Sequence, residues 1–263
     1  MSTADSKTEG KGANRIFWLF LYLLCLYLAV NAIPFARFIA SENLCFGLSL
    51  GLKALLLGYG AWECARPKNR GLFSFRRLGI KDLLWLPLLI PCLSNLLYAA
   101  FFSGNFTPAS NGTKAALGFV DDLVVAGIEE ILFRGILFTF FHTLFQDKKN
   151  EGVYAILLSS VAFGAVHLVN IFSNPPLAVL AQVAYSFLLG LVLSLVYTGS
   201  GNFVLPVLGH FLFNALNDTV PSTFLFYSMD ATYYLFNAIL GAFGLLYATG
   251  ITIVMTKGKP HVS

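Results

Sequence analysis

The chain alternates long apolar runs with short polar ones. Runs near 15–36, 43–62, 83–104, 117–142, 153–173, 177–198, 203–218 and 232–255 are long enough to cross about 30 Å of hydrocarbon at about 1.5 Å per residue. They predict an all-α, polytopic membrane protein with eight transmembrane helices in one bundle. The seventh run is short and holds Pro206, His210 and Asn214, so it reads as a partly re-entrant helix. Residues 1–14 are polar and predict a disordered lead, 15–256 form the membrane domain, and 257–263 make a short polar tail. The first run lacks a small-residue cleavage site and is expected to persist as a span. No repeat or second domain interrupts the pattern.

Charge orients these runs. The second loop carries Arg66, Lys68, Arg70, Arg76, Arg77 and Lys81, and the fourth carries Lys148 and Lys149. The third offers only Lys114, and the fifth, "SNPP", has no basic residue. Both termini and the even-numbered loops therefore belong in the cytoplasm. Composition agrees: 57% of residues are hydrophobic, 11% are charged and the mean hydropathy is +0.74, against about 25% charged in a soluble domain. The net charge of +4 sits beside the apolar runs, which points to a lipid bilayer and not to nucleic acid. Cys25, Cys45, Cys64 and Cys92 are scattered and read as small apolar residues without disulfide or metal spacing.

Polar groups inside the runs need compensation, because an ionisable side chain at the bilayer centre costs at least about 2.5 to 3.5 kcal/mol. These groups are Lys53, Asp121, Asp122, Glu129, Glu130, Arg134, His167, His210 and Asn214. Glu130 and Arg134 are four apart with the acid first, the better order for an ion pair on one helix face. Glu129 is turned by about 100° from its neighbour and, denied that arginine, suits a general base. His167 lies one turn after Phe163, beside Gly164 and Ala165, which let another backbone approach; a packing role fits a lone histidine there as well. His210 and Asn214 share a face. Lys53 reads as snorkelling or paired with an acid, and the two aspartates read as structural. Glu129 and His167 both lie about 20 Å from the cytoplasmic ends of their runs, so they can meet. His210 lies nearer that side, which predicts a cavity open to the cytoplasmic half of the membrane.

Three short patterns fall in order on three separate runs: "EEILFR" with Glu129, Glu130, Phe133 and Arg134; Phe163 to His167; and His210 to Asn214. Together they resemble the EExxxR, FxxxH and HxxxN motifs of the CAAX-protease and bacteriocin-processing (CPBP, or Abi) family of intramembrane proteases, which includes prenyl-protein endopeptidases of the Rce1 type. The resemblance spans about residues 117 to 218. It implies an eight-helix fold and hydrolysis of a peptide bond in a membrane-bound protein or peptide, a CaaX-type prenylated C-terminus among them. It implies Glu129 as the base that activates water, helped by His167, with His210 and Asn214 holding the oxyanion. Glu130 would support Glu129, Arg134 would be its counter-charge, and Phe133 and Phe163 would support the site.

Two carboxylates and two histidines could bind Zn²⁺, with Glu129, His167 and His210 as candidate ligands. The HExxH spacing of soluble zinc proteases is absent, so the sequence demands no cofactor. Two other classes remain open. A non-catalytic bacteriocin-immunity or membrane scaffold protein would need the bundle without the chemistry. A proton-coupled transporter would also keep Glu, His and Arg at midplane, but no internal repeat of the transporter kind is visible.

Overall fold

In a computed structural model, which describes residues 3–69, 71–98, 101, 107–108, 112–219, 224–225 and 231–257, the apolar runs are helical. Helix α1 spans Thr3–Ala32. Pro34 ends it, because the residue before a proline is pushed out of the helical region. Helix α2, Glu42–Ala65, starts at Ser41, whose side chain accepts the Leu44 N–H at 3.4 Å and caps a free donor.

The run expected as a third span departs from a regular helix. Residues Ile80–Leu93 form a 3-10 helix holding Pro87 and Pro91, followed by the short α3, Ser94–Tyr98. Each proline removes a donor and collides with the preceding turn of an α-helix, which favours the other winding. A two-residue strand β1, Thr107–Pro108, pairs antiparallel with β2, Phe224–Leu225.

The fourth run is one helical path in three windings: α4, Gly112–Glu130; a π-helix, Ile131–Leu137; and α5, Phe138–Leu144. Helix α6, Glu151–Val166, continues as a 3-10 turn, His167–Phe172. Helix α7, Pro176–Ser200, begins with proline at its first turn, where a missing N–H costs nothing. Helix α8, Val204–Asn214, runs into a second π-helical stretch, Ala215–Thr219, and α9 spans Ala231–Lys257. The polar tail expected at 257–263 lies, beyond Lys257, outside the described residues.

Four helical segments are long and apolar enough to cross a membrane: Gly12–Arg37, Glu42–Ala65, Glu151–Phe172 and Pro176–Ser200. Val204–Asn214 and Ile239–Ile251 are shorter apolar helices. The chain is thus a helical membrane protein.

Two close approaches set the position of the site. Helices α6 and α7 are antiparallel neighbours, and a Cβ on Gly190 would sit 3.1 Å from both Cα and Cβ of Ser160; glycine there lets the backbones meet. On the π-helix, a Cβ on Gly135 would fall 2.1 Å from the Phe73 ring. Phe73 belongs to a strap, residues 72–76, that lies over the turn between α7 and α8. Phe203 N–H donates to Ser74 O at 2.8 Å, Arg76 N–H to Gly201 O at 3.1 Å, and Phe75 faces Asn202 in an antiparallel bridge. The largest apolar core gathers beneath, around Phe133, Phe163, Leu132, Ile136 and Leu193.

Candidate active site

Glu129 and Glu130 are the last two residues of α4, where the helix widens into its π-helical portion. Such interruptions are frequent at functional sites. The two neighbouring carboxylates point to different partners. Glu130 Oε1 accepts from Arg134 Nη1 at 2.8 Å and from His210 Nδ1 at 2.8 Å. Arg134 also donates from Nη2 to the Gly190 carbonyl at 3.2 Å, and its guanidinium lies 4.5 Å from the centre of the Phe163 ring. Glu130, Arg134, Phe133 and Phe163 are all buried, so a charge pair is sealed inside apolar surroundings, which holds only while both partners remain.

Glu129 looks the other way. Its Oε1 accepts from the Tyr27 hydroxyl at 2.6 Å, and its Oε2 lies 3.5 Å from His210 Nε2. The imidazole of His210 is therefore held between both glutamates. Glu130 Oε1 already accepts from a guanidinium, so His210 must donate to it from Nδ1. In a neutral ring Nε2 then carries a lone pair facing a carboxylate oxygen. A proton on either Glu129 Oε2 or His210 Nε2 would lie between the two atoms.

His167 is fixed by its own helix. Its Nδ1 lies 2.9 Å from the Phe163 carbonyl, which can only accept, so Nδ1 carries the hydrogen and Nε2 is the acceptor of the neutral ring. His167 and His210 each meet the Phe163 ring edge-on, with centroids 5.4 Å away in both cases. Glu129, His167, His210 and Asn214 all line one cavity of about 310 Å³, within the range of about 300–1,000 Å³ usual for ligand pockets. Glu130, Arg134 and Phe133 lie behind its wall.

The candidate zinc ligands do not fit a metal centre. His210 is engaged by a carboxylate on each nitrogen, and His167 is set apart by Phe163. Among the described residues no three of His, Cys, Asp and Glu converge on a point where an ion could sit.

The remaining intramembrane charges stand apart from this group. Lys53 Nζ lies 2.9 Å from both oxygens of Asp121, tying α2 to α4, and Asp122 accepts from the Thr219 hydroxyl at 2.6 Å, tying α4 to the stretch after α8.

Several lining residues carry no motif. Tyr27 is the clearest, and Asn31, Asn170, Gln182, Tyr185 and Ser186 join it. Helical spacing does hold a signal for them: Tyr27 and Asn31 are one turn apart, and Gln182, Tyr185, Ser186 and Leu189 follow the i, i+3, i+4, i+7 pattern of one face.

The motif residues of three helices thus meet at one cavity. A family model described as Rce1-like, type II CAAX prenyl endopeptidase Rce1-like, matches residues 111–216. Over this segment, about 40% of its length, the chain is similar to the Rce1-like family. No curated protein and no solved structure matches it. The Rce1-like segment contains Glu129, Glu130, Arg134, His167, His210 and Asn214, while Tyr27 reaches Glu129 from a helix outside it.

Proposed function

We propose that this Rce1-like chain is an intramembrane endopeptidase that hydrolyses a peptide bond of a membrane-associated protein or peptide with water activated by Glu129. The observation that carries the reading is the His210 imidazole held between two carboxylates at the floor of the cavity. A water beside Glu129 would give its proton to the carboxylate as its oxygen attacks the scissile carbonyl carbon. The negative charge then passes to the carbonyl oxygen, for which the cavity-lining Asn214 amide and the Nε2–H of a protonated His210, released by Glu129 once that carboxylate is protonated, are suitable donors. When the C–N bond breaks, the proton held by Glu129 goes to the leaving amine, so the residue ends as it began.

Glu130 and Arg134 have a supporting part. They fix the orientation and tautomer of His210 from a place the substrate does not reach, as an orienting carboxylate does for a catalytic histidine. The test is turnover of a membrane-embedded reporter peptide by purified protein. Glu129→Gln is expected to abolish cleavage with normal folded yield, and Glu130→Gln to leave measurable cleavage or to lower the yield. Full cleavage by a well-folded Glu129→Gln protein would sink Glu129 as the base, and no cleavage by the well-folded unaltered protein would sink the reading in favour of a scaffold.

A further inference from the structure

The bundle has two distinguishable ends. At one, α2, α5 and α7 finish and α6 begins. Arg15 of α1 bonds the Lys68 carbonyl there, Phe17 meets Phe140 with ring centres 5.1 Å apart, and Arg76 Nε donates to the Ser200 carbonyl at 2.8 Å. Helix α9 approaches the same end, since Ile251 clusters with Trp85, which in turn lies against Gly199. At the other end α1 and α8 finish and α7 begins. Of the 17 lysines and arginines, all but Arg37, Lys53, Lys114 and Arg134 fall within residues 7–15, 66–81, 148–149 and 257–259. The described residues of those segments flank the first end, so by the bias of short loops it faces the cytoplasm.

The cavity reaches toward the opposite end. Its lining on α4 goes no further than Glu129, on α6 it starts at Phe163, on α7 it stops at Leu189 and on α8 it starts at His210. Every other lining residue on these helices lies on the side away from the basic segments. Beyond those levels toward the basic end the space is filled by buried Leu132, Phe133, Ile136, Arg134 and Leu193. Exposure rises the other way: Glu129, Phe163 and His210 are buried, whereas Asn31 and Val169 are exposed. With that orientation, the lining turns the opening away from the cytoplasmic half, opposite to the side expected from the depth of His210.

The rim chemistry adds a second, independent observation. Asn170 Nδ2 donates to Gln182 Oε1 at 2.8 Å, and Asn31 and Asn214 are further amides on the lining. Amides both donate and accept, as a peptide backbone does, while among the described residues no lysine or arginine lines the cavity to receive a terminal carboxylate.

From these placements we infer that the site opens on the non-cytoplasmic side and takes an internal, extended segment of a membrane or exported protein presented there, rather than a lipidated C-terminus offered from the cytoplasm. The substrate half rests on the endopeptidase reading above; the sidedness does not. In a background without the four native cysteines, single cysteines are placed at Ser173, in the turn beside the cavity mouth, and at Lys148, both exposed. Intact cells receive a membrane-impermeant thiol reagent. Ser173→Cys is expected to label before permeabilisation and Lys148→Cys only after it. The reverse order overturns the inference even if the protein cleaves peptides. In sealed right-side-out vesicles, a reporter peptide added outside is expected to be cut equally well with an amidated or a free C-terminus. Cutting only after the vesicles are opened, or only of the free acid, also overturns it. Absence of cutting with the expected labelling removes the peptidase reading and leaves the sidedness standing.

Discussion

At the scale of single residues, the site separates two adjacent glutamates by what each touches. Glu130 is bound into a buried pair with Arg134, so removing the arginine leaves a charge with only an imidazole to compensate it. Arg134→Met is expected to cost about 3–5 kcal/mol of stability, the usual penalty for a stranded buried charge, read as a lower unfolding midpoint in detergent. The double variant with Glu130→Gln should recover part of that loss; no recovery would show that the arginine matters through its contact with Phe163 and not through charge. Tyr27 poses a different question, because its hydroxyl is the one direct donor to Glu129 Oε1 among the described residues. A hydrogen bond to a charged group is worth about 1.5–3 kcal/mol, so Tyr27→Phe is expected to slow turnover by about 10- to 100-fold if the bond orients the base through the reaction. Unchanged turnover with intact folding would leave that orientation to His210 alone.

At the scale of elements, the π-helical winding after Glu130 matters because it is held from outside. The strap residue Phe73 fills the place that a side chain on Gly135 would occupy, and Phe73 itself packs against Phe203 with ring centres 4.5 Å apart and the rings tilted by 55°. Gly135→Ala is therefore an overpacking change, expected to destabilise by about 1–3 kcal/mol. Trimming the obstacle with Phe73→Ala should make the double variant more stable than the two single losses added together. Strict additivity, measured by thermal unfolding of all four proteins, would mean that the strap and the π-helix do not press on each other. Counting residues into the seventh run puts His210 near the cytoplasmic side; what such a count cannot include is the 72–76 strap that covers the α7–α8 turn.

At the scale of the whole molecule, the sequence disclosed what short-range spacing controls. Glu130 and Arg134 pair as their separation of four implies, and Glu129, Phe163, His167, His210 and Asn214 line one cavity because each sits on a helix whose period is known. Four of the eight expected spans form helices long and apolar enough to cross a membrane, and near Pro87 and Pro91 two rings change the winding. What spacing cannot disclose is contact between distant helices: Tyr27 meeting Glu129 across 102 positions, or a strap closing one end of the bundle. That closure supplies a final prediction. Phe75 and Asn202 face each other in an antiparallel bridge, where Cα atoms are about 4.5–5.5 Å apart, a separation that a disulfide tolerates. In the cysteine-free background, oxidised Phe75→Cys/Asn202→Cys protein should unfold later than its reduced form, since a crosslink over a long loop typically adds about 2–4 kcal/mol. If substrate comes and goes at the opposite end, the locked strap should not impede it, and the oxidised and reduced forms should turn over a reporter peptide at the same rate. Activity that disappears on oxidation and returns on reduction would show that the strap must lift, and the path to Glu129 would then run through the basic end after all.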